Sequence, residues 1–544
     1  MILLENETWL RRGALLTAPM TNTAGPRKPE SSSKGLRTVN PGVIDECHPE
    51  WLVGFPKTCA FSHEIDYNLA ALPDRPLRRR AIASAEGHRF GYTGEVLGSQ
   101  LNVMRLNPYL LRSAIVAALG GLLFGFDTAV IAGTTQALRN LYQLSPASLG
   151  LTVSSALVGT IIGSLTAGIP GDKYGRRDSL RVMAVFYVVS AVGCALAWNW
   201  SALVFFRVIG GLAIGGSSVL GPMYITEIAP AKWRGRLVGL FQFNVVFGIL
   251  LAYFSNYIVG LFGLGATEWR WKLGVAALPA AAFLVMLFFI PRSPRWLVKQ
   301  KRVDEARDVL RIIGEENYEQ ELREIVESID AEHVTDEAFF SSKYRLPIFL
   351  AVTIGLFNQL SGINAILYYL NDIFAFAGFS KVSSDLQAVA IGATNLVFTM
   401  LAMSLIDKAG RKKLLLIGAA GTALCLAGVA AVFLSHRDEH LLVWLLIGYI
   451  AFFAFSQGAV IWVYIGEVFP NRVRAKGQSL GSFSHWLMNG IISLVFPVMA
   501  AKSGGYPFVF FAAMMVLQFV VVLFVYPETK GHSLEELQKK LGIA

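Results

Sequence analysis

From Tyr109 onward the chain repeats one pattern, in which an apolar segment of about 20 residues is followed by a short polar loop. A helix of that length crosses the hydrocarbon core of a bilayer. Segments so uniformly apolar can satisfy their backbone hydrogen bonds in lipid only as helices. We predict twelve spans, at residues 110–133, 148–169, 179–198, 202–228, 236–261, 272–290, 346–376, 385–406, 412–434, 441–467, 477–500 and 507–526.

The two halves of this region repeat each other. Pro222–Arg236 (PMYITEIAPAKWRGR) returns about 240 residues later as Val463–Lys476 (VYIGEVFPNRVRAK). Asp172–Arg177 (DKYGRR) and Asp407–Lys412 (DKAGRK) form a second pair at nearly the same offset. Each copy lies where an apolar segment meets positive charge, which is typical of two homologous membrane bundles. We therefore expect an all-α membrane protein with twelve transmembrane helices in two pseudo-symmetric six-helix bundles.

The composition argues against a soluble protein. Hydrophobic residues make up 54% of the chain and charged residues only 16%, whereas soluble domains are about 25% charged. The net charge of +10 falls in short clusters between apolar segments, which indicates membrane topology rather than nucleic-acid binding. The four cysteines form no metal-binding or disulfide pattern, and nucleotide-binding, metalloprotease and serine-nucleophile motifs are absent. We expect a monomer that is not an enzyme and has no cofactor or metal.

Basic residues predict the orientation of the spans. They cluster after spans 2, 4, 8 and 10 and at the start of the long segment after span 6, whereas the alternate loops have few. Cytoplasmic loops carry an excess of lysine and arginine, so the even-numbered loops and both termini should be cytoplasmic. The expected location is the inner cell membrane, with the lipid bilayer as a partner.

The same pattern divides the chain into five regions. We predict an N-terminal extension, an N-terminal bundle, a cytoplasmic helical linker, a C-terminal bundle and a cytoplasmic tail, at residues 1–107, 108–293, 294–343, 344–527 and 528–544. The extension is rich in proline, arginine, serine and glycine and contains no span. Two interpretations stay open, a disordered tail or a start misread upstream of Met104.

The linker is the one soluble-looking insert between the spans. Leu322, Ile325, Val326 and Ile329 recur at helical spacing among charged neighbours. This pattern predicts two or three short amphipathic helices that lie under the membrane and join the bundles. About fifty residues are too few for a catalytic core, so we expect no enzymatic domain here.

Two charged residues inside spans are candidates for proton coupling. Asp127 lies in the middle of span 1, and Arg207, early in span 4, is its obvious partner. Ionisable residues in a span are costly and usually face the interior of the bundle. The pair is either a fixed link between two helices or a switch in which separation of the charges loads a proton on the acid.

A second group of charges lies at the cytoplasmic ends of the spans. Salt bridges among these residues would hold the bundles together on that side, and breaking them would be the opening step. The predicted cytoplasmic latch comprises Asp172, Arg176, Arg177, Glu227, Arg234, Asp407, Arg411, Glu467 and Arg474.

Uncharged polar residues inside the spans indicate a ligand with many hydroxyl groups. An amide both donates and accepts hydrogen bonds, and an indole face can receive the apolar face of a sugar ring. Any one of these amides is more typical of a bond between helices, but the set favours a polyol site near the midplane. The candidate site, with its neighbouring aromatic residues, comprises Phe126, Gln242, Asn358, Gln359, Asn364, Tyr368, Asn395, Trp462, Trp486 and Asn489.

Several motifs together resemble the sugar porter family of the major facilitator superfamily, over about residues 108–540. The stretch Gly125–Gly133 (GFDTAVIAG) looks most like bacterial xylose/proton symporters. The motifs are GDKYGRR at Gly171–Arg177, RVIGG at Arg207–Gly211, PRSPRWL at Pro291–Leu297, QLSGIN at Gln359–Asn364, DKAGRK at Asp407–Lys412 and PETKG at Pro527–Gly531.

This resemblance implies the major facilitator fold, alternating access and a monosaccharide held between the bundles. Proton-coupled members have an aspartate that matches Asp127, paired with an arginine that matches Arg207, and passive members generally lack the acid. The implied sugar contacts come from Gln242, Gln359, Asn364, Asn395, Trp462, Trp486 and Asn489.

Four positions depart from the family pattern. Asn358 stands where a glutamine is common, and His485 where an asparagine is common. Ala459 replaces a usual proline, and Arg292 replaces a usual glutamate. Asn358 bears on sugar preference, and Ala459 on the flexibility of span 10. His485 is either a second titrating group or a hydrogen-bonding substitute, and Arg292 should have a small effect.

We therefore predict a symporter for a monosaccharide and a proton. Two alternatives stay open: a passive uniporter of the same fold, in which Asp127 and Arg207 are only structural, and a transporter-like sugar sensor.

Overall fold

The computed structural model describes residues 107–544 except 315–316, 332–338, 471, 532–535, 538, 540, 542 and 544. Within these residues all regular secondary structure is helical. Both interpretations of the N-terminal extension, the disordered tail and the start at Met104, lie outside the described residues.

The N-terminal half contains nine helices that make six crossings. Five crossings are single helices, and the sixth is divided into α8 and α9, neither of which is long enough to cross a bilayer alone. The helices are α1 (Pro108–Val130), α2 (Thr135–Tyr142), α3 (Pro146–Thr166), α4 (Gly168–Tyr174), α5 (Arg176–Ala195), α6 (Trp200–Ile228), α7 (Ala231–Leu261), α8 (Glu268–Gly274) and α9 (Ala277–Met286).

Three short helices follow, where the spacing of Leu322 and Ile325 predicts amphipathic helices. They are α10 (Pro294–Lys299), α11 (Val303–Ile312) and α12 (Tyr318–Ala331). Leu322 and Ile325 are buried in one cluster with Leu180 and Tyr224 of the N-terminal half. The linker helices therefore pack on that half rather than standing free.

The C-terminal half repeats the arrangement with six crossings. Two crossings are interrupted, the first at Gly362 and Tyr369 and the fourth at Ser456. The helices are α13 (Arg345–Leu360), α14 (Ile363–Tyr368), α15 (Leu370–Phe376), α16 (Lys381–Ala409), α17 (Arg411–Ser435), α18 (Leu441–Phe455), α19 (Gln457–Glu467), α20 (Arg474–Lys502) and α21 (Tyr506–Phe524).

Local sequence explains where several helices begin. Asn107, Ser145 and Asn199 each accept a hydrogen bond from a backbone N–H in the first turn of α1, α3 and α6. Proline occupies the first position of α1 and α3, where its missing N–H costs nothing. Asn199, which also matches a weak glycosylation sequon, is therefore a helix cap in this structure.

Glycines allow neighbouring helices to pack closely. A Cβ atom on Gly211 of α6 would lie 1.9 Å from the carbonyl oxygen of Ala156 in α3, and one on Gly215 would lie 2.1 Å from that of Thr160. Neither backbone could approach so closely with a larger residue, so these glycines serve helix packing.

The two halves meet along two helix pairs, α3 with α20 and α7 with α16. Because crossings alternate in direction, one end of the bundle carries the linker helices and the start of α1, where Asn107 donates to the carbonyl of Ile312. We call this end the linker face, and the opposite end, which carries α2 and α8, the far face.

Candidate functional site

A cavity of about 530 Å³ lies between the two halves. Its walls include Gln242 of α7, Trp462 of α19 and Trp486 of α20, three residues of the predicted sugar site. It also reaches Gly235 in the first turns of α7 and Ile406 near the end of α16, which lie at the linker face. Its volume is within the range of about 300–1,000 Å³ typical of small-molecule sites.

Behind the tryptophans lies a chain of hydrogen-bonded amides from the interrupted seventh crossing. Asn364 donates to the side-chain oxygen of Gln359 at 2.9 Å, and Gln359 donates to that of Asn358 at 3.0 Å. Gln359 also lies 3.2 Å from both ring nitrogens of His485. Asn358 and Gln359 are buried, and none of the three amides lines the large cavity in this conformation.

His485 connects this amide chain to the cavity. Its ring centroid lies 5.2 Å from that of Trp462 and 5.1 Å from that of Trp486. The side chain is buried. The sequence left His485 open as a second titrating group or a hydrogen-bonding substitute, because neighbouring residues in a sequence do not reveal contact with an amide on another helix.

The remaining predicted sugar-site residues are distributed more widely. Asn489 donates to the hydroxyl of Tyr368 at 3.4 Å, and Asn395 accepts from Thr399 at 3.5 Å. Phe126 is 1% exposed in the hydrophobic core and does not line the large cavity. Phe124 lines it instead and lies 5.5 Å from Trp486 between ring centroids. The sequence contained a signal for this difference between Phe124 and Phe126, because residues two apart on a helix face different directions.

The structure places the two charged candidates of the N-terminal half together. Arg207 Nη2 lies 3.8 Å from Asp127 Oδ2, which is an ion pair beyond hydrogen-bond distance. Arg207 donates instead to the carbonyl of Thr152 at 3.2 Å and is 3% exposed. Asp127 is 22% exposed and borders a small cavity shared with Phe124 and Trp486. The acid therefore adjoins the walls of the larger cavity.

The charges at the linker face form two clusters, one in each half. Arg176 lies 3.1 Å from Asp172 and 2.9 Å from Glu227, all within the N-terminal half. Arg411 lies 2.9 Å from Asp407 and 2.8 Å from Glu467, all within the C-terminal half.

Two other arginines of the predicted latch also contact only their own halves. Arg177 contacts Asp178 at 3.1 Å, and Arg474 donates to the carbonyl of Phe469 at 3.4 Å. The Nε of Arg234 is buried without a hydrogen-bond partner. In this conformation the linker-face ion pairs of the described residues therefore do not join the two halves.

Glu528, of the PETKG motif, caps the helix that carries Arg411. Its carboxylate accepts hydrogen bonds from the backbone N–H of Arg411 at 2.9 Å and of Lys412 at 3.1 Å. Partial burial raises the pKa of this carboxyl, but these bonds and those from Lys530 and Thr529 outweigh burial and hold the pKa below its usual range. The tail is thereby fixed to the C-terminal half.

This arrangement of crossings and cavity matches one protein family. Residues 113–541 match the family model described as sugar (and other) transporter. The chain belongs to the sugar transporter family. It is a multi-pass membrane transporter with the major facilitator fold.

The matches with curated relatives of this sugar transporter extend over nearly the whole length of each relative. The D-xylose-proton symporter of Escherichia coli (strain K12) is 36% identical over 476 residues, which are 80% of this chain and 97% of the relative. The arabinose-proton symporter of Bacillus subtilis (strain 168) is 37% identical over 439 residues, 79% of this chain and 95% of the relative.

Solved structures agree with the arrangement of the transporter's helices. The inward open conformation of the xylose transporter XylE from E. coli has a TM-score of 0.72 at 36% identity and covers 79% of this chain and 100% of that one. The partially occluded inward open conformation of XylE has a TM-score of 0.70 at 35% identity, with 78% and 99% covered.

Proposed function

We propose that this transporter carries a monosaccharide together with a proton, by alternating access. The observation that carries the proposal is the cavity between the halves, lined by Trp462, Trp486 and Gln242, with Asp127 beside it. The relatives named as xylose- and arabinose-proton symporters support a pentose or a related sugar as the substrate.

The proposed sugar site combines apolar faces with hydrogen-bonding groups. Trp462 is 39% exposed, so its indole can receive the C–H face of a sugar ring. Gln242 lines the cavity from the N-terminal half, while Gln359 and Asn364 belong to the amide chain that His485 connects to the cavity from the other half. A ligand that contacts both halves favours the conformation that brings them together.

Proton binding is assigned to Asp127. An approaching arginine stabilises the carboxylate, whereas removal from water favours the neutral acid. At 3.8 Å and without a hydrogen bond, Arg207 stabilises the carboxylate of Asp127 only weakly. A small rotation of α6 therefore changes whether the charged or the neutral form of Asp127 is favoured. Protonation would remove the attraction between Asp127 and Arg207, while Arg207 keeps its bond to the carbonyl of Thr152. Sugar and proton would then leave on the same side.

The orientation follows from the basic loops. The linker face carries the basic clusters after the even-numbered spans. We therefore assign this face to the cytoplasmic side of the inner membrane. The cavity would then open inward. In the opposite conformation, we expect the linker-face clusters around Arg176 and Arg411 to approach each other and form the cytoplasmic latch.

The experiment uses purified transporter in proteoliposomes and the variant Asp127→Asn. We expect the variant to lose uphill accumulation of xylose while it keeps counterflow exchange, because exchange needs sugar binding but no net proton movement. Asp438→Asn, the same change in an exposed loop, is the matched control and should keep both uphill accumulation and exchange.

Two results would contradict the proposal. Accumulation by Asp127→Asn would exclude Asp127 as the coupling acid. Failure of xylose addition to make the outside medium alkaline would favour a uniporter. A panel of other monosaccharides in the same assay identifies the preferred sugar.

A further inference from the structure

Four charged side chains meet at the far face, across the boundary between the two halves. Lys272 of α8 lies 2.9 Å from Glu268 in its own helix and 3.1 Å from Asp385 of α16 in the other half. Lys381, also in α16, reaches back to Glu268 at 2.6 Å. Two positive and two negative charges thus alternate, and two of the three contacts join the halves.

The centre of this cluster is shielded from water. The side chains of Lys272 and Asp385 are 1% and 2% exposed, and Glu268 is 7% exposed. Asp385 also accepts a hydrogen bond from Asn371, and Lys272 donates to the carbonyl of Gly133 at 3.2 Å. Taking such ions out of water is costly unless partners replace the water, so the closed arrangement depends on the pairs remaining together.

The far face differs in this respect from the linker face. Among the described residues, every ion pair that joins the two halves lies at the far face, including a longer contact of 3.9 Å between Arg139 of α2 and Asp372 of α15. The pairs at the linker face stay within one half, and the cavity opens there. Charge pairing across the interface therefore coincides with the closed end.

We propose that Glu268, Lys272, Asp385 and Lys381 form a far-face latch that stabilises the conformation open to the linker face. The proposal rests on the alternating-access function given above. Opening the far face separates Lys272 from Asp385 and Lys381 from Glu268, and water then replaces the lost partners. The strength of the latch sets the equilibrium between the two conformations in the absence of sugar.

The test measures the distance between two spin labels on the far face. The labels sit at Ala147 in the first turn of α3 and at Arg437 just after α17, both exposed and in different halves. The four cysteines, Cys47, Cys59, Cys194 and Cys425, are replaced by alanine beforehand. Distances are recorded by double electron–electron resonance in lipid nanodiscs, without sugar or a proton gradient.

We compare Lys272→Met, Asp385→Leu and the double variant. Each single change removes the Lys272–Asp385 pair across the interface and leaves the buried cluster with an unbalanced charge, so the ratio of far-face-open to far-face-closed protein should rise at least about tenfold. The double variant puts apolar groups on both sides. It should return to within about threefold of the unaltered ratio, because matched apolar groups can replace a buried pair.

Lys502→Met is the matched control. It removes an exposed lysine at the far-face end of α20 that forms none of these pairs, so its distances should equal those of the unaltered protein. The milder changes Lys272→Gln and Asp385→Asn replace the first variants if those do not purify as folded protein.

Two outcomes would overturn the latch. In one, the single variants match the unaltered protein. In the other, the double variant opens as far as they do. Because the readout needs neither sugar nor proton, a failure of the symport assay with Asp127→Asn leaves this result intact.

Discussion

Single side chains carry most of the functional argument, because the spans contain few polar groups. Asp127, Arg207 and Gln359 stand among apolar neighbours, and each is placed by contacts with a different helix. A substitution at such a residue changes a specific interaction rather than a general property of the surface. Glu528 gives the clearest case outside the membrane.

The Glu528→Gln variant should unfold at a lower temperature at neutral pH. The carboxylate accepts bonds from the first N–H groups of α17, and loss of a charged cap costs about 1 kcal/mol in the free energy of unfolding. Because the folded-state pKa lies below the ordinary glutamate value of 4.5, this stabilisation is present above that pH and is lost as the pH falls further.

The measurement is thermal unfolding in detergent at pH 7 and across the acid range. The difference between the variant and the unaltered protein should shrink below pH 4.5. Glu439→Gln, in an exposed loop, is the control and should unfold like the unaltered protein throughout. Equal stabilities of Glu528→Gln and the unaltered protein at pH 7 would refute the capping role.

At the scale of helices, interruptions place the binding groups. The seventh crossing breaks at Gly362, which has a φ of +85° between α13 and α14. The break separates Gln359 from Asn364 by a turn that lets the two amides hydrogen-bond at 2.9 Å. A continuous helix would place residues five apart on different faces.

The Gly362→Ala variant should lose stability and weaken sugar binding. An added Cβ would lie 2.4 Å from the ring of Phe511, and the backbone conformation itself disfavours a side chain. We expect a loss of more than about 2 kcal/mol in the free energy of unfolding, and at least about tenfold weaker binding by calorimetry.

The matched control for this variant is Gly263→Ala. Gly263 also has a positive φ, of +61°, but an added Cβ there meets nothing within 4 Å. It should cost only about 1 kcal/mol and leave sugar affinity unchanged. Equal effects of the two variants would show that backbone strain, and not the packing at the break, decides the result.

At the scale of the whole molecule, the two ends behave as opposites. The cavity opens at the linker face, where ion pairs of the described residues stay within each half. The far face is closed, and there Tyr253 donates to the carbonyl of Leu367 across the interface at 2.8 Å. When two rigid halves rock against each other, the end that was open closes and the end that was closed opens.

The Gly235→Trp variant should hold the linker face open. Gly235 lines the cavity near its mouth, and an added Cβ meets no atom within 4 Å, so an indole fits the open form but obstructs closure. Uphill transport should fall to less than about a tenth while sugar still binds, because closure is needed for every cycle.

Transport in proteoliposomes and binding by calorimetry are measured on the same preparation. Gly168→Trp is the control, since Gly168 also has nothing within 4 Å of an added Cβ and does not line the cavity. It should transport normally. Normal transport by Gly235→Trp would mean that the mouth does not narrow during the cycle.

The sequence alone determined the crossings, the two-fold repeat and the linker helices. Those features follow from apolar length and periodicity, which act locally along the chain. It also indicated Asp127 and Arg207 as partners, because a charged residue inside a span faces the bundle interior and pairs with an opposite charge there. The predicted span boundaries differ from the helix ends by a few residues in both directions, as for 385–406 against Lys381–Ala409 and 148–169 against Pro146–Thr166.

Apart from that pair, tertiary structure decided which distant residues meet. Phe124 rather than Phe126 lines the cavity, because helix rotation is fixed by packing against other helices. Lys272 and Asp385 are 113 positions apart and resemble ordinary charges at the ends of spans until the halves bring them within 3.1 Å. Hydrophobicity along a chain places a segment in the membrane, but contacts between segments depend on the shapes of the helices that pack together.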